Sequence, residues 1–307
     1  MPGEWPRGRT GEPPDEPPGK QIDIIGHRGA RGLFPENTLR GFNAAAALGV
    51  HAFELDVGLT RDGAVVVAHD PALNPDITRD PSGGWLPGPG PLLWMLTAAE
   101  LARYDVGRIR PGSPTARLFP DQRSQDGSRV PSLAAVLEAL SAAQFIIEIK
   151  TDPFHPDWTA APNLLVDAVL ADIDRVAAAG RVVLESFDWR VQLYLKRIRP
   201  EIRLAFLTRP DADPDPWWAG ASRHESPNGR STPAVIATLA PGSIWAPAHS
   251  DLTDADVREA HALGLAVVPW TVNQAADMRR LIACGVDGII SDYPDRLIQI
   301  VAEMRSG

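Results

Sequence analysis

The amino-acid sequence predicts an α/β protein, a (β/α)8 barrel of the TIM type with an extra hairpin arm and an insertion after that arm. Three observations support this fold class. Short β-rich runs alternate with helical patterns, which indicates parallel βα units. One connection is too short to join parallel strands, so one run must belong to a hairpin. The length of 307 residues suits such a barrel as a single domain.

Nine short runs rich in apolar and β-branched residues are predicted to be strands. They cover residues 22–27, 51–57, 64–69, 144–150, 181–187, 202–207, 243–246, 265–270 and 286–291. Helical patterns cover 38–48, 131–142, 162–179, 188–199, 232–240, 253–263, 274–284 and 294–305. Predicted N-caps are Asn37 or Thr38, Ser132 and Thr253, and predicted helix stops are Gly49, Gly180, Gly264 and Gly285.

The second and third runs are separated only by residues 58–63, too few for a parallel crossover. Asp62 and Gly63 are a favoured two-residue hairpin turn, and this turn would place Asp56 opposite His69. The third run is therefore a returning hairpin arm, and eight strands remain for the barrel. An open doubly wound sheet is the alternative, but the glycine-rich turn it uses after the first strand is missing.

Two kinds of segment interrupt this order. Residues 1–20 contain six prolines and four glycines, and we predict a disordered tail. Residues 71–130 form a long insertion, and 208–231 form a second long loop. The sequence thus predicts one catalytic domain over 21–307, with the insertion within it.

Composition excludes several classes of protein. The net charge of −9 disfavours a nucleic-acid binder and a polybasic membrane anchor. A single cysteine, Cys284, excludes an internal disulfide. The sequence contains no apolar run long enough to cross a membrane and no signal-peptide pattern, so we predict a cytoplasmic location. The oligomeric state stays open.

Charged and polar residues are concentrated at the ends of the predicted strands. They are His27, Arg28, Glu54, Asp56, His69, Glu148 and Lys150. Ionised groups in strands must be paired or bound to a metal, because burying them alone is costly. The ends of barrel strands meet at one mouth, so we expect these side chains to converge there.

The residue types indicate the chemistry. Glu54, Asp56 and Glu148 offer hard oxygen ligands, which suit Mg²⁺ or Ca²⁺. Cationic donors at positions 28 and 150 suit a phosphate. Two histidines can act as general acid and general base near neutral pH. Together these features predict metal-assisted cleavage of a phosphodiester.

The sequence also resembles the glycerophosphodiester phosphodiesterase family. The resemblance rests on HRGA at 27–30, PENT at 35–38, ELDV at 54–57, TRDG at 60–63, HD at 69–70, LTAAEL at 96–101, VPSLAAVLEAL at 130–140, EIK at 148–150, PWTVN at 269–273 and GVDGIISDYP at 285–294. It covers about residues 22–303.

The resemblance implies a metal-dependent (β/α)8 enzyme of lipid and glycerol metabolism. It implies that His27 and His69 are the acid/base pair and that Glu54, Asp56 and Glu148 hold Ca²⁺ or Mg²⁺. Phosphate contacts would come from Arg28 and Lys150, and Trp270 would lie near the alcohol group. Glu36 and Asn37 would lie near the site in roles that stay open.

The implied reaction cleaves small-molecule glycerophosphodiesters, such as glycerophosphocholine or glycerophosphoethanolamine, to glycerol 3-phosphate and an alcohol. The nucleophile is either water or the neighbouring glycerol hydroxyl. One alternative is cleavage of lysophospholipids of the lysophospholipase D type, with Trp85, Trp94, Trp217 and Trp218 lining an acyl channel. Another is a phosphodiester-binding module without catalysis.

Overall fold

The structure is a computed structural model that describes residues 22–209, 217–221 and 231–306. The chain divides into two compact units. The N-terminal unit is Gly26–Val182, and the C-terminal unit comprises the described residues of 22–25 and 183–306. The predicted tail and most of the 208–231 loop lie outside the described residues.

Strands and helices alternate along the chain. The strands are β1 (Asp23–His27), β2 (Ala52–Leu59), β3 (Val65–Val67), β4 (Gln144–Ile149), β5 (Val182–Ser186), β6 (Arg203–Thr208), β7 (Ile244–Pro247), β8 (Ala266–Val267) and β9 (Gly288–Ser291). The helices are α1 (Leu39–Ala47), α2 (Ala98–Leu101), α3 (Pro114–Leu118), α4 (Leu133–Ala139), α5 (Pro162–Arg175), α6 (Trp189–Ile198), α7 (Thr232–Leu239), α8 (Asp254–Ala262), α9 (Ala275–Ala283) and α10 (Pro294–Ser306). Short 3₁₀ helices cover Leu93–Met95, Ala179–Arg181 and His249–Asp251.

The predicted (β/α)8 barrel class is confirmed by eight parallel strands with helices between them. In the N-terminal unit, β2 pairs in parallel with β4 and antiparallel with β3. In the C-terminal unit, β5, β6, β7 and β8 pair in parallel in that order. The extra strand β3 is the predicted hairpin arm.

The predicted hairpin register is wrong by one residue. Val57 pairs with Val67 and Leu59 with Val65, so Ala68 rather than His69 lies opposite Asp56. The loop has three residues, 61–63, with Gly63 in the left-handed region at φ +81°. Thr60 explains the longer loop, because its hydroxyl accepts from the Ala64 amide at 2.9 Å and donates to Asp62 Oδ1 at 2.7 Å.

Most predicted helix boundaries are found, with one exception. The hydroxyls of Thr38, Ser132 and Thr253 cap α1, α4 and α8. Gly49, Gly264 and Gly285 follow helices with positive φ, as predicted. Gly180 does not end α5.

The helix α5 ends five residues before that glycine, because its backbone closes around Ala177. Ala177 adopts φ +52°, and the amide of Ala178 donates to the carbonyl of Ile173 at 2.9 Å. This is a Schellman-type ending, in which alanine occupies a position that glycine usually fills.

The alternation along β2 separates apolar from acidic side chains. Phe53 and Leu55 are fully buried, and the Phe53 ring packs edge-on against Phe42 with centroids 5.7 Å apart. Successive strand residues point to opposite faces, so Glu54 and Asp56 share the other face. Both are buried as well, at 2% and 1% exposure. The strand therefore places two carboxylates in the interior, and apolar packing does not explain their burial.

The insertion is an ordered part of the N-terminal unit. Its leucines at 73, 86, 93 and 101 form a small apolar core with Val66 of β3. Arg79 ties distant parts of it together, because its Nη2 lies 2.6 Å from Asp105 Oδ2 and 2.7 Å from Asp126 Oδ1. Among the described residues, no helix is both long enough and apolar enough to cross a membrane.

Candidate active site

Three buried carboxylates form the centre of the candidate site. Glu54 and Asp56 lie on β2, and Glu148 lies beside Asp56 in the parallel pairing of β2 with β4. Each residue offers one carboxylate oxygen, and these oxygens all lie within 4.8 Å of one another. The sequence prediction that these three residues come together is met by this geometry.

Asp56 is surrounded by groups that stabilise its negative charge. Its carboxylate lies 3.2 Å from Arg28 Nε and 3.4 Å from Lys150 Nζ, and Asn37 Nδ2 donates to it at 2.9 Å. Burial alone would raise the pKa of Asp56, but Arg28, His69 and Lys150 lower it well below its ordinary value. Asp56 is therefore ionised throughout the neutral range.

Glu148 has the opposite character. Burial raises the pKa of Glu148 above its ordinary value, and the negative charge of Asp56 adds to this effect. Lys150 Nζ donates to Glu148 Oε1 at 2.9 Å but does not fully compensate. Ionising Glu148 in this cluster is therefore costly, and its protein neighbours do not fully offset that cost.

The donor set fits a divalent cation. Carboxylate oxygens are the ligands that Mg²⁺ and Ca²⁺ prefer. Within the described residues, Oδ1 of Asp56 is buried and receives no hydrogen bond, and its cationic neighbour, Lys150 Nζ, lies 3.4 Å away. Buried acceptors are normally satisfied, so an unsatisfied carboxylate oxygen in an acidic cluster is where a cation would bind. Glu54, Asp56 and Glu148 would hold it.

Arg28 is held in an unusual backbone conformation beside this cluster. Its φ is +52°, a region that non-glycine residues rarely adopt, and its amide donates to Glu54 Oε2 at 3.1 Å. Its guanidinium donates to Glu36 Oε1 at 2.8 Å and contacts Asp56. Burial opposes its charge, but Asp56, Glu36 and Glu54 together raise the pKa of Arg28, which stays protonated.

Gly26 shows why this turn needs a glycine. A Cβ at position 26 would lie only 1.9 Å from the carbonyl oxygen of Gly29. The chain therefore turns tightly after β1 and directs the residues between these glycines, His27 and Arg28, toward the carboxylates. His27 Nε2 lies 3.6 Å from Glu54 Oε2.

His69 is oriented by a chain of polar side chains. Its Nδ1 lies 2.7 Å from Asp70 Oδ1, and Asn74 Nδ2 donates to Asp70 Oδ2 at 2.7 Å. Burial would raise the pKa of Asp70, but its hydrogen bond with His69 lowers it below its ordinary value. An ionised Asp70 accepts a hydrogen bond from the Nδ1–H of His69, so Nε2 is the nitrogen of His69 that remains for chemistry.

Sequence reasoning assigned no role to four supporting residues, although it expected Glu36 and Asn37 near the site. Asp70 and Asn74 orient His69, Glu36 holds Arg28, and Asn37 holds Asp56. The HD motif contains Asp70, and the PENT motif contains Glu36 and Asn37, so these motifs were the only sequence signal for them. Asn74 lies in no motif that the sequence analysis identified.

Seven of the eight predicted site residues lie in the N-terminal unit or in β1, at its boundary. Trp270 belongs to the C-terminal unit, where its Nε1 donates to the carbonyl of Ala246 at 2.8 Å. Its ring packs edge-on against Phe187 with centroids 5.3 Å apart. Its predicted contact with the alcohol group stays a prediction.

Two cavities are notable. A cleft in the N-terminal unit is lined by His69, Lys150, Trp94 and Trp158. A cavity of about 360 Å³ in the C-terminal unit is lined by residues that include Trp245. The second cavity contains none of the predicted site residues.

Comparisons with known proteins agree with this geometry. The sequence profile of the Glycerophosphoryl diester phosphodiesterase family matches residues 27–296. A candidate glycerophosphoryl diester phosphodiesterase from Silicibacter pomeroyi has a solved structure that is 38% identical, with a TM-score of 0.84 over 93% of this chain and 95% of that one. A glycerophosphodiester phosphodiesterase from Caldanaerobacter subterraneus is 28% identical over 91% of this chain and 97% of its own length.

A second solved structure, an Oleispira antarctica phosphodiesterase in complex with the product sn-glycerol-3-phosphate, shares the fold. Its identity is 22%, and its TM-score is 0.66 over 91% of this chain and 96% of that one.

Proposed function

Because the chain belongs to the glycerophosphoryl diester phosphodiesterase family, we propose that it hydrolyses glycerophosphodiesters to glycerol 3-phosphate and an alcohol. Glycerophosphocholine and glycerophosphoethanolamine are the proposed substrates. The proposal depends on a divalent cation, Ca²⁺ or Mg²⁺, at Glu54, Asp56 and Glu148. The observation that supports this proposal most strongly is the buried cluster of three carboxylates, whose oxygens lie within 4.8 Å of one another.

The cationic side chains are suited to bind the phosphate. Arg28 and Lys150 are both protonated and both face the carboxylates. When bound, the divalent cation would supply positive charge to the phosphoryl oxygens. Arg28 is held by Glu36, so it can present its remaining donors in a fixed direction. Preorganised donors of this kind stabilise charge that develops in the transition state.

We assign acid–base catalysis to His27 and His69. One imidazole accepts a proton from the nucleophile as the P–O bond to it forms. The other donates a proton to the alcohol oxygen as its P–O bond breaks, so the alcohol leaves neutral. The nucleophile is water, or the neighbouring glycerol hydroxyl with later hydrolysis of the cyclic phosphate. Asp70 and Asn74 would keep His69 in one tautomer through either route.

The test is a screen of several glycerophosphodiesters for release of glycerol 3-phosphate, with and without added Mg²⁺ or Ca²⁺. We expect cation-dependent release from at least one of them. Tight binding of the substrates with no product after long incubation would instead support the binding-module alternative.

Trp218 belongs to the four tryptophans of the acyl-channel alternative. It is 2% exposed and stacks on Trp189 with centroids 4.3 Å apart. It packs within the C-terminal unit, where it also lines the cavity of about 360 Å³. Cleavage of lysophospholipids stays an alternative. The cytoplasmic location and the single-domain organisation stay predictions.

A further inference from the structure

An aromatic rim borders the candidate site, and the proposed mechanism does not use it. Trp94 and Trp158 line the same cleft as His69 and Lys150. Both tryptophans are unusually exposed for their type, at 38% and 46%. Large aromatic side chains are usually buried, so two exposed tryptophans beside reactive groups suggest a place for a ligand.

The two rings are held in position by their own contacts. Trp94 lies in the short 3₁₀ helix Leu93–Met95, and its Nε1 donates to the carbonyl of Asp157 at 3.0 Å. His155 stacks on Trp158 with ring centroids 4.1 Å apart and planes 15° apart. His155 is itself held, because its Nδ1 lies 2.9 Å from Asp152 Oδ2. The rim is therefore preorganised, which lowers the entropic cost of binding.

The cleft also contains a carboxylate that can attract a cationic guest. Asp70 is ionised and partly exposed there, and its oxygens also bond to His69 and Asn74. The ammonium of Lys150 also lines the cleft, but Nζ lies 2.9 Å from Glu148 and 3.4 Å from Asp56, which offset its charge. Aromatic faces together with a carboxylate are the usual means of binding a quaternary ammonium group.

The chemistry of the rim also separates the two groups esterified to the phosphate. A glycerol moiety has hydroxyls that need hydrogen-bond partners. An indole ring offers only its N–H, and the N–H of Trp94 is already used by Asp157. A trimethylammonium group forms no hydrogen bonds and gains from aromatic faces. The rim suits the departing alcohol better than it suits glycerol.

We propose that Trp94 and Trp158 form the subsite for the leaving group and select glycerophosphodiesters whose alcohol carries an ammonium group, as in glycerophosphocholine. This inference rests on the proposed function of the neighbouring site.

The test compares two substrates in wild-type protein and in the variants Trp94→Ala and Trp158→Ala. Glycerophosphocholine carries the ammonium group, and glycerophosphoglycerol has a neutral leaving alcohol. We expect each variant to lose about 5- to 30-fold in kcat/KM on glycerophosphocholine, mainly through KM. Activity on glycerophosphoglycerol should change by less than about twofold, because this contact is absent there. Trp158→Phe keeps an aromatic face and should retain most of the preference.

Met95 and Phe154 provide matched controls. Both are exposed apolar side chains near the rim in sequence, and neither lines the cleft. Met95→Ala and Phe154→Ala should leave both activities unchanged. Activity on acylated substrates in vesicles is also measured for these two control variants. If they lose as much of that activity as the tryptophan variants do, the surface is a lipid-docking surface and the proposal is overturned. Equal losses on the two soluble substrates would also overturn it.

A binding measurement separates failure of this subsite from failure of the proposed function. Tetramethylammonium is titrated into wild-type protein, and tryptophan fluorescence is followed. Saturable quenching that is lost in Trp158→Ala supports the subsite, even if the protein releases no glycerol 3-phosphate. Hydrolysis without ammonium preference and without quenching refutes the subsite and leaves the proposed function intact.

Discussion

Replacing Asp70 with Asn tests whether His69 depends on its polar neighbours. Asp70 Oδ1 lies 2.7 Å from His69 Nδ1, and Asn74 holds the other oxygen at 2.7 Å. The amide keeps the shape of the carboxylate but removes its charge, and it can present an N–H to Nδ1. General acid–base catalysis contributes about 10²- to 10⁴-fold, and losing the orienting partner should remove a part of this, about 10- to 100-fold in kcat. That loss corresponds to about 1.4 to 2.7 kcal/mol.

The effect on folding should be smaller than the effect on catalysis. A hydrogen bond to a charged group contributes about 1.5 to 3 kcal/mol when buried. The side chains of His69 and Asp70 are 33% and 38% exposed, so solvent screening reduces this to about 1 kcal/mol or less. The measurements are kcat and KM across pH, with a thermal melt of the same samples.

Two outcomes distinguish orientation from a purely structural role. If Asp70 acts on His69, kcat falls more than KM rises, while the melting temperature changes little. Asp80→Asn is the matched control, since Asp80 lies in the insertion and its carboxylate accepts hydrogen bonds from Ser82 and Gly84 of its own loop. An unchanged kcat in Asp70→Asn would refute the reasoning.

Three further predictions concern other site residues. His27→Ala and His69→Ala should each lower kcat by about 10²- to 10⁴-fold, and full activity in either variant would rule out its assigned role. Arg28→Lys keeps the charge but loses the forked contacts with Glu36 and Asp56, so kcat/KM should fall by about 10- to 100-fold; an unchanged value would contradict the phosphate contact. Glu148→Gln should raise the melting temperature of metal-free protein at neutral pH and remove the rise that a divalent cation causes. The melting temperature should rise because burial raises the pKa of Glu148 above its unfolded value of about 4.3, so ionising Glu148 costs stability as pH increases. A lower melting temperature of the metal-free variant would contradict this.

The sequence predicted the strands and the acidic cluster because both depend on local periodicity. Glu54 and Asp56 are two apart between the apolar Phe53 and Leu55, so alternation alone directs them to a common face. The parallel pairing that places Glu148 beside Asp56 follows from the βα order once the fold class is known. These predictions succeed because backbone geometry determines where these residues lie relative to one another.

The errors and omissions arise where side chains decide the backbone or where contacts are distant. The hydroxyl of Thr60 closed a three-residue loop, which shifted the hairpin register by one residue. The left-handed conformation of Ala177 ended α5 before Gly180, and no residue preference marks an alanine for it. Trp94 meets the carbonyl of Asp157, 63 residues later, so sequence alone could not place this indole beside the site.

The central claim is that Glu54, Asp56 and Glu148 hold the divalent cation that hydrolysis requires. It is tested most directly by stripping the protein with excess EDTA, removing the chelator and titrating Mg²⁺ or Ca²⁺ while following glycerol 3-phosphate release from a glycerophosphodiester. We predict no release from stripped protein, recovery that saturates as one site fills, and no recovery in Glu54→Gln or Asp56→Asn. Full turnover by the metal-free protein would contradict the claim.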